Sequence, residues 1–370
     1  MENKASSYLI QLLLVIIISS CNSNDKKTIS NNKKEISSHQ FAIPKVFFKK
    51  FRVSLSNNKI LNLYLTKSVN VINGVYGDTI LSCVIDDSNS NKPRMFTGEM
   101  TPNGSFKFKN NKGGISISGK FLSVSKIKIK YLDLQKGFFS NIELVEIKEE
   151  FKIFPENYYK EEFETNTGEA GCDSTRFFIN LSVPVFKSKE NNSDKIINNV
   201  IKQDIGLKTN ETYEEFIKLN LPHTFGYFVL NIDVVYLDNN FLTLQEYTRE
   251  AHCGAAHGDW YISYINLDLE ANTVIKLEDI FQKKYLKKLK IICKQKFKEK
   301  YNLQEENLEK FYLQEDFALY RNGISLLFQP YGNGIGIYTG GTTEVFIPFA
   351  ELSDLMNPNT ILTNRLLNRE

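Results

Sequence analysis

Histidine and tryptophan are scarce in this chain, with four of the first and one of the second. Acid–base and metal chemistry lean on histidine more than on any other side chain, so few positions are open to it. The short zinc spacings, Cys-x-x-Cys or His-x-x-x-His on one helical face, do not occur. An excess of one charge is also missing: 46 basic residues stand against 43 acidic ones, a formal net charge of +3. That balance argues against a nucleic-acid partner or a strongly anionic surface. No apolar run reaches the roughly 20 residues that a membrane-spanning helix needs, and no internal repeat is visible. With 370 residues, 42% of them apolar, the chain has room for two bodies that each bury a core.

The longest apolar run, Leu9 to Ile18, is the length of a signal-peptide core and not of an anchor. It ends in Ile18-Ser19-Ser20-Cys21, which resembles the bacterial lipobox. By that resemblance residues 1–20 are a lipoprotein signal peptide and Cys21 is the lipidated first residue of the mature chain. A thioether-linked diacylglycerol and an N-acyl chain bury some tens of CH₂ groups at about 0.8 kcal/mol each, which makes attachment effectively permanent. The alternative is a plain secretory signal with Cys21 unmodified. Residues 21–42 are polar and short of large apolar side chains, the composition of a tether that cannot offset its ordering entropy by burial.

From 43 to 150 the pattern is β: Phe51 to Leu55, Ile60 to Leu65, Asn70 to Tyr76, Thr79 to Ile85 and Ser105 to Phe108 are strand-like runs. Turn signals such as Asn103-Gly104 and Ser118-Gly119 separate them. The spacing predicts an antiparallel meander or a small barrel. The acidic stretch 151–170, with Glu156, Glu161, Glu162, Glu164 and Glu169, reads as a linker; it lacks the alternating aspartates of a calcium loop.

The second domain, 171–360, opens with a strand from Thr175 to Phe186 whose Pro184 suggests an edge. A helix from Ser193 places Ile196, Ile197, Val200 and Ile201 on one face, and Thr212 to Leu219 forms a short second helix. Strands at Gly226 to Tyr236 and Phe241 to Tyr247 flank a hairpin signal at Asp238-Asn239-Asn240. Beyond a central loop come Asp259 to Leu269, then a lysine-rich helix from Lys283 to Tyr301 with an apolar stripe of Leu286, Leu289, Ile292, Cys293 and Phe297. Strands at Phe317 to Tyr320, Ile324 to Gln329 and Glu344 to Ile347 precede a closing helix. The expected class is α+β: a β-rich module, then antiparallel strands packed on a long helix.

The central loop, Glu250 to Trp260, holds two histidines, one cysteine and the single tryptophan. His252, Cys253, His257 and Asp259 do not have the spacing of a zinc site, and Cys253 with His257 lacks a third, orienting group for a nucleophile. With Cys21 lipidated, Cys83, Cys172, Cys253 and Cys293 remain, an even number for an oxidising compartment. Cys172 opens the second domain and Cys253 lies in its loop, so these two are expected to pair. Cys83 and Cys293 sit in apolar patterns and read as buried thiols. The glycine-rich run 332–341 lacks a following helix and so is not a phosphate loop. Should it meet the central loop, His257, Asp259, Trp260, Tyr331 and Tyr338 are the candidate ligand contacts.

Three stretches carry a family resemblance: Gly254-Ala255-Ala256-His257-Gly258; Asn266-Leu267-Asp268-Leu269 with Lys276-Leu277-Glu278-Asp279-Ile280-Phe281; and Phe328-Gln329-Pro330-Tyr331 with Gly340-Gly341 and Val345 to Leu352. Together they resemble the extracellular domain of the anti-sigma-V factor, a domain also fused to peptidoglycan deacetylases. The resemblance implies an envelope binding domain. In the anti-sigma-V factor the region recognises lysozyme, a cationic partner that the lysine-rich helix would repel.

The expected function is therefore a lipid-anchored lipoprotein of the cell envelope, facing the periplasm or the surface from the outer membrane. It binds a cell-wall protein or glycan without catalysis, cofactor, metal or nucleic acid; the alternative is a peptidoglycan hydrolase or deacetylase. The cysteine pairing is tested by alkylating the intact protein without reduction: Cys172 and Cys253 should stay unmodified, and labelling of both would refute the pair.

Overall fold

The computed structural model describes residues 43–44, 46–55, 59–72, 75–87, 94–109, 115–133, 138–147, 151–165, 174–188, 193–208, 210–221, 226–252, 258–304, 308–309, 311–329 and 342–367. The first eight strands follow one another around a closed antiparallel barrel: β1 (Phe47–Leu55), β2 (Lys59–Ile72), β3 (Val75–Asp87), β4 (Arg94–Met100), β5 (Ser105–Lys109), β6 (Ile115–Ser123), β7 (Lys126–Asp133) and β8 (Phe138–Glu146). Pairing of Phe51 with Glu146 and Arg52 with Val145 joins the last strand to the first. Of the two expected forms, meander or barrel, closure removes both edges and selects the barrel. Asn70 to Tyr76, read as one strand, spans two, because Ile72 of β2 pairs with Val75 of β3.

Alternate residues point inward, and the inward set is aromatic and branched. Phe121 meets Phe47, Phe51 and Phe106 edge-on, with ring centroids 5.8, 6.1 and 6.0 Å away. The ring of Phe106 lies over Gly119, its cross-strand partner, where a side chain would collide with it. The barrel is thus packed with its own side chains.

The acidic stretch expected to be a linker is instead a strand, β9 (Phe151–Thr165), paired along its whole length with β10 (Ser174–Ser188). Pairing with β10 satisfies its backbone, and its glutamates fall on both faces: Glu156 accepts from the Tyr158 hydroxyl on one and Glu161 from the Tyr159 hydroxyl on the other. β9 is the edge of a six-stranded sheet completed by β10, β11 (Gly226–Leu237), β12 (Phe241–His252), β13 (Asp259–Asp268) and β14 (Thr273–Val274). The expected all-antiparallel arrangement fails at one place: β10 and β11 run parallel. The two helices between them, α1 (Ser193–Asp204) and α2 (Tyr213–Asn220), form the crossover that a parallel pair requires. β10 is not the edge that Pro184 suggested, yet its pairing with β11 ends at Ser182, and Pro184 faces only Pro155 of β9.

Helix α1 buries Ile197 and Ile201 and ties itself to β10 through Asn198, whose amide both donates to and accepts from the Phe186 backbone at 2.8 and 2.9 Å. Thr212 and Glu215 form a reciprocal capping box at the start of α2. The hairpin between β11 and β12 closes as expected, with Asp238 Oδ1 accepting from the Asn240 and Phe241 amides.

The remainder is α3 (Leu277–Ile280), α4 (Tyr285–Tyr301), a three-stranded sheet of β15 (Phe317–Tyr320), β16 (Gly323–Phe328) and β17 (Thr343–Pro348), then α5 (Phe349–Leu352) and α6 (Ile361–Leu367). α4 buries Tyr285, Leu289, Cys293 and Phe297, a strict four-residue spacing. Leu286, assigned to the stripe from sequence, is 44% exposed, because the buried stripe starts one residue earlier, at Tyr285. Cys83 and Cys293 are buried and unpaired, as expected, and burial pushes the Cys293 thiol up to about 12. No helix among the described residues is long and apolar enough to cross a membrane.

Two polar junctions hold these parts together. Outside the barrel, Lys50 Nζ and Tyr64 Oη both donate to the carbonyl of Leu237 on β11, at 2.8 and 3.0 Å, and Tyr64 and Val84 enter the core under the six-stranded sheet. At the other end, buried Asn266 of β13 donates to Phe317 O at 2.7 Å and accepts from Leu319 N at 2.8 Å on β15. Thr243 Oγ1 adds a bond to Leu319 O at 2.7 Å. Replacing Asn266 by Leu leaves two buried backbone groups unsatisfied and should lower stability by roughly 2–4 kcal/mol in urea unfolding; a loss below about 0.5 kcal/mol would contradict this role.

Candidate functional site

In strands β9 to β13 successive residues face opposite sides of the sheet. The registers place Tyr159, Asn180, Val229, Arg249 and Trp260 side by side in one row across five strands. The neighbouring row on the same face holds Glu161, Phe178, Tyr227 and Ala251, and the row on the other side holds Asn157, Ser182, Asn231, Tyr247 and Ile262. On this face the core formed with α4 and the three-stranded sheet takes in Val235, Tyr236, Phe241 and, at its margin, Tyr264. The rows just described lie beyond it.

Their side chains are arranged as a surface of flat rings and amides. Phe178 and Tyr227 stack at 5.5 Å with planes 19° apart, and Tyr159 lies 5.9 Å from Phe178. The guanidinium of Arg249 sits 5.3 Å over the Tyr227 ring. Arg249 is exposed, and Trp260 beside it is half-buried. Gly258 lets the Tyr227 hydroxyl approach; a side chain there would collide with that oxygen and with the Glu250 carbonyl. Both amide atoms of Asn157 and Oδ1 of Asn180 are buried without a hydrogen-bond partner, a rare condition in a finished protein interior. At the far end the Tyr159 hydroxyl donates to Glu161 at 2.7 Å.

The outer edge of β13, which has β14 beside it only at Leu267 and Asp268, is completed by side chains. Gln329 donates to Ile262 O, and Asp316 Oδ1 accepts from Tyr264 N at 3.1 Å. Gln329, the last described residue before 342, therefore lies two residues along β13 from Trp260.

The other face of the same strands carries carboxyl groups. Glu246 is buried, accepts from Thr248 Oγ1 at 3.0 Å, and lies close to the Asp204 carboxyl at the end of α1. Burial first, then the Asp204 carboxyl, pushes Glu246 up to about 8. Glu250 and Asp259 face each other one step further along this side. Among the described residues no group of three His, Cys, Asp or Glu side chains is placed to hold a metal ion.

The candidate contacts named from sequence separate accordingly. Trp260 lies in the aromatic row, whereas Asp259 projects from the opposite face, because consecutive strand residues alternate. His257, Tyr331, Tyr338, the proposed pair Cys172 and Cys253, and the lipidation residue Cys21 lie outside the described residues. Sequence reasoning missed Arg249, Asn157, Asn180 and Asn231. Asparagine is depleted in strands, and Asn180 and Asn231, each between two apolar neighbours in a strand run, were the available signal.

Residues 278–350 match a family model, DUF3298, described as a protein of unknown function. The DUF3298 segment runs from α3 through α4 and the three-stranded sheet into α5, and its neighbour β13 carries Trp260. Similar solved structures include a DUF3298 family member from Bacteroides fragilis NCTC 9343, 19% identical, covering 60% of this chain and 100% of that one with a TM-score of 0.49. Another is a DUF3298 family protein from Pseudomonas aeruginosa PAO1, 16% identical, covering 55% and 94% with a TM-score of 0.43. No curated protein matches the sequence.

The buried carboxyls make stability depend on pH. Glu246 at about 8, Asp316 at about 7 and Asp233 at about 6 are all raised chiefly by burial, so the folded chain holds protons that the unfolded chain releases. Their stabilising contribution is complete below the unfolded values near about 4 and is lost as pH rises through the folded ones. The thermal midpoint should fall between about pH 5 and 8, and Glu246→Gln should raise it at pH 8 by at least about 2 °C while flattening the slope. An unchanged slope in the variant would refute the assignment.

Proposed function

We propose that this chain is a lipid-anchored envelope protein that binds a cell-wall protein or glycan without transforming it, and that the aromatic face of β9 to β13 is its contact surface. The observation that carries the reading is the row Tyr159, Asn180, Val229, Arg249 and Trp260. It combines half-buried rings, an amide oxygen with no partner and an exposed cation, the mix of apolar surface and a few convergent polar groups that binding sites use. The Ile18-Ser19-Ser20-Cys21 sequence supports the anchor, and the resemblance to the anti-sigma-V extracellular domain supports an envelope ligand.

A peptidoglycan hydrolase or deacetylase is the second reading, and the Glu246–Asp204 pair favours it. Those two carboxyls lie close together, with Glu246 buried, whereas glycosidase pairs flank a substrate cleft with the scissile bond between them, roughly 5–9.5 Å apart. Binding is therefore the stronger reading.

Trp260→Ala and Asn180→Leu should each reduce co-sedimentation with purified cell-wall sacculi by tenfold or more, with no muropeptide release by the parent protein. Full retention by both variants would remove the proposed surface. Release that Glu246→Gln abolishes would favour the enzyme.

A further inference from the structure

We infer that the aromatic face takes an acidic saccharide chain, laid across the strands on Trp260 and along the row of Tyr227, Phe178 and Tyr159, with a ring carboxylate held by Arg249. The inference rests on the binding reading above and names its ligand class.

Charge complementarity is the first support. Arg249 is exposed and makes no ion pair or hydrogen bond among the described residues; its recorded contact is with the Tyr227 ring. The ring holds the guanidinium in place without neutralising it, which leaves its forked donors available for a carboxylate. The acidic group on the same face, Glu161, lies three strands away and accepts from the Tyr159 hydroxyl. Asp233 lies two rows further along β11, in a small cavity against Phe48 and Thr66 of the barrel. Neither carboxyl is a neighbour of Arg249 in the register.

The shape and chemistry of the row favour a sugar chain over a peptide. Five strands at about 4.8 Å spacing make a row of roughly 19 Å that crosses the strands, so its backbone groups are already used in the sheet and offer no ladder to a peptide strand. The Phe178 and Tyr227 rings are stacked, only 19° from parallel, and with Tyr159 they make a continuous ring row across three strands. The unpartnered amide atoms of Asn157 and Asn180 supply both donors and acceptors, matching hydroxyl groups that are themselves both. One cation amid these amides suits a sparsely charged chain, and a nucleic acid would need a basic stripe.

The test uses calorimetric titration of the mature chain with a tetra-galacturonate and with the same tetramer after its carboxyls are reduced to alcohols. The acidic form should bind at least tenfold tighter. Arg249→Gln should erase that difference, and Trp260→Ala should weaken both forms alike; since Arg249 is exposed, its variant should keep the parent's unfolding midpoint. Equal binding of the two tetramers, an unchanged ratio in Arg249→Gln, or no binding of either tetramer would overturn the ligand class. So would Arg249-dependent binding of a glutamate-rich peptide in their place. In each of those cases Trp260-dependent retention on sacculi would leave the binding reading standing, whereas loss of that dependence as well would end both.

Discussion

At the end of β13 the amide of Asn266 takes the part of a missing strand, giving one hydrogen bond to the β15 carbonyl at Phe317 and receiving one from the amide at Leu319. A sheet edge must be paired, covered or charged; here Asn266 finishes the edge of β15, and Asp316 and Gln329 finish that of β13. The three-stranded sheet can therefore lie against the six-stranded one without sharing a ladder. The neighbouring Asp268 secures the same corner. It accepts two bonds from Arg365 of α6 and two from the turn amides of Glu270 and Ala271. The Asn266-Leu267-Asp268-Leu269 motif is architectural, and its polar members are buried because they replace backbone partners.

The barrel is fastened by an equivalent device at the opposite edge of β11. Leu237 offers one carbonyl to two donors, Lys50 and Tyr64, just beyond a bulge between Val234 and Tyr236. Lys50, 3% exposed, has its buried charge supported by that hydrogen bond and by the Tyr64 ring at 5.6 Å. The short parallel register of β10 and β11 follows from the same geometry: past Ser182 the strands part, and Phe48 and Thr66 of the barrel line the resulting gap.

Between these fastenings the middle of the sheet has two unlike faces. One carries the neighbouring carboxyls of Glu246 and Asp204; the other carries the rings, the amides and Arg249. A sheet separates such chemistries at no cost in chain length, since each residue step reverses the side. It follows that Asp259 and Trp260, adjacent in sequence, serve different environments. A binding surface and a buried carboxyl pair can coexist within the same five strands.

Local patterns in the sequence were enough to locate most elements. The capping box at Thr212, the Asp238 turn, the stripe of α4 and the buried thiols Cys83 and Cys293 all depend on neighbours within a few residues, so they were legible from spacing. The glutamate-rich strand β9 was not, because its backbone is satisfied by β10 and charge alone resembles a solvated linker. The phase of α4 at Leu286 and the division of residues 70–76 between two strands also escaped, each turning on a one-residue choice that distant packing decides. Of the candidate site, Trp260 was visible as a rare residue. Its neighbours Arg249, Asn180 and Tyr159 come from three other strands, up to 101 positions away in number. Composition and local spacing determined most of the elements; the pairing registers, which are long-range hydrogen bonds, alone decided which side chains share a face.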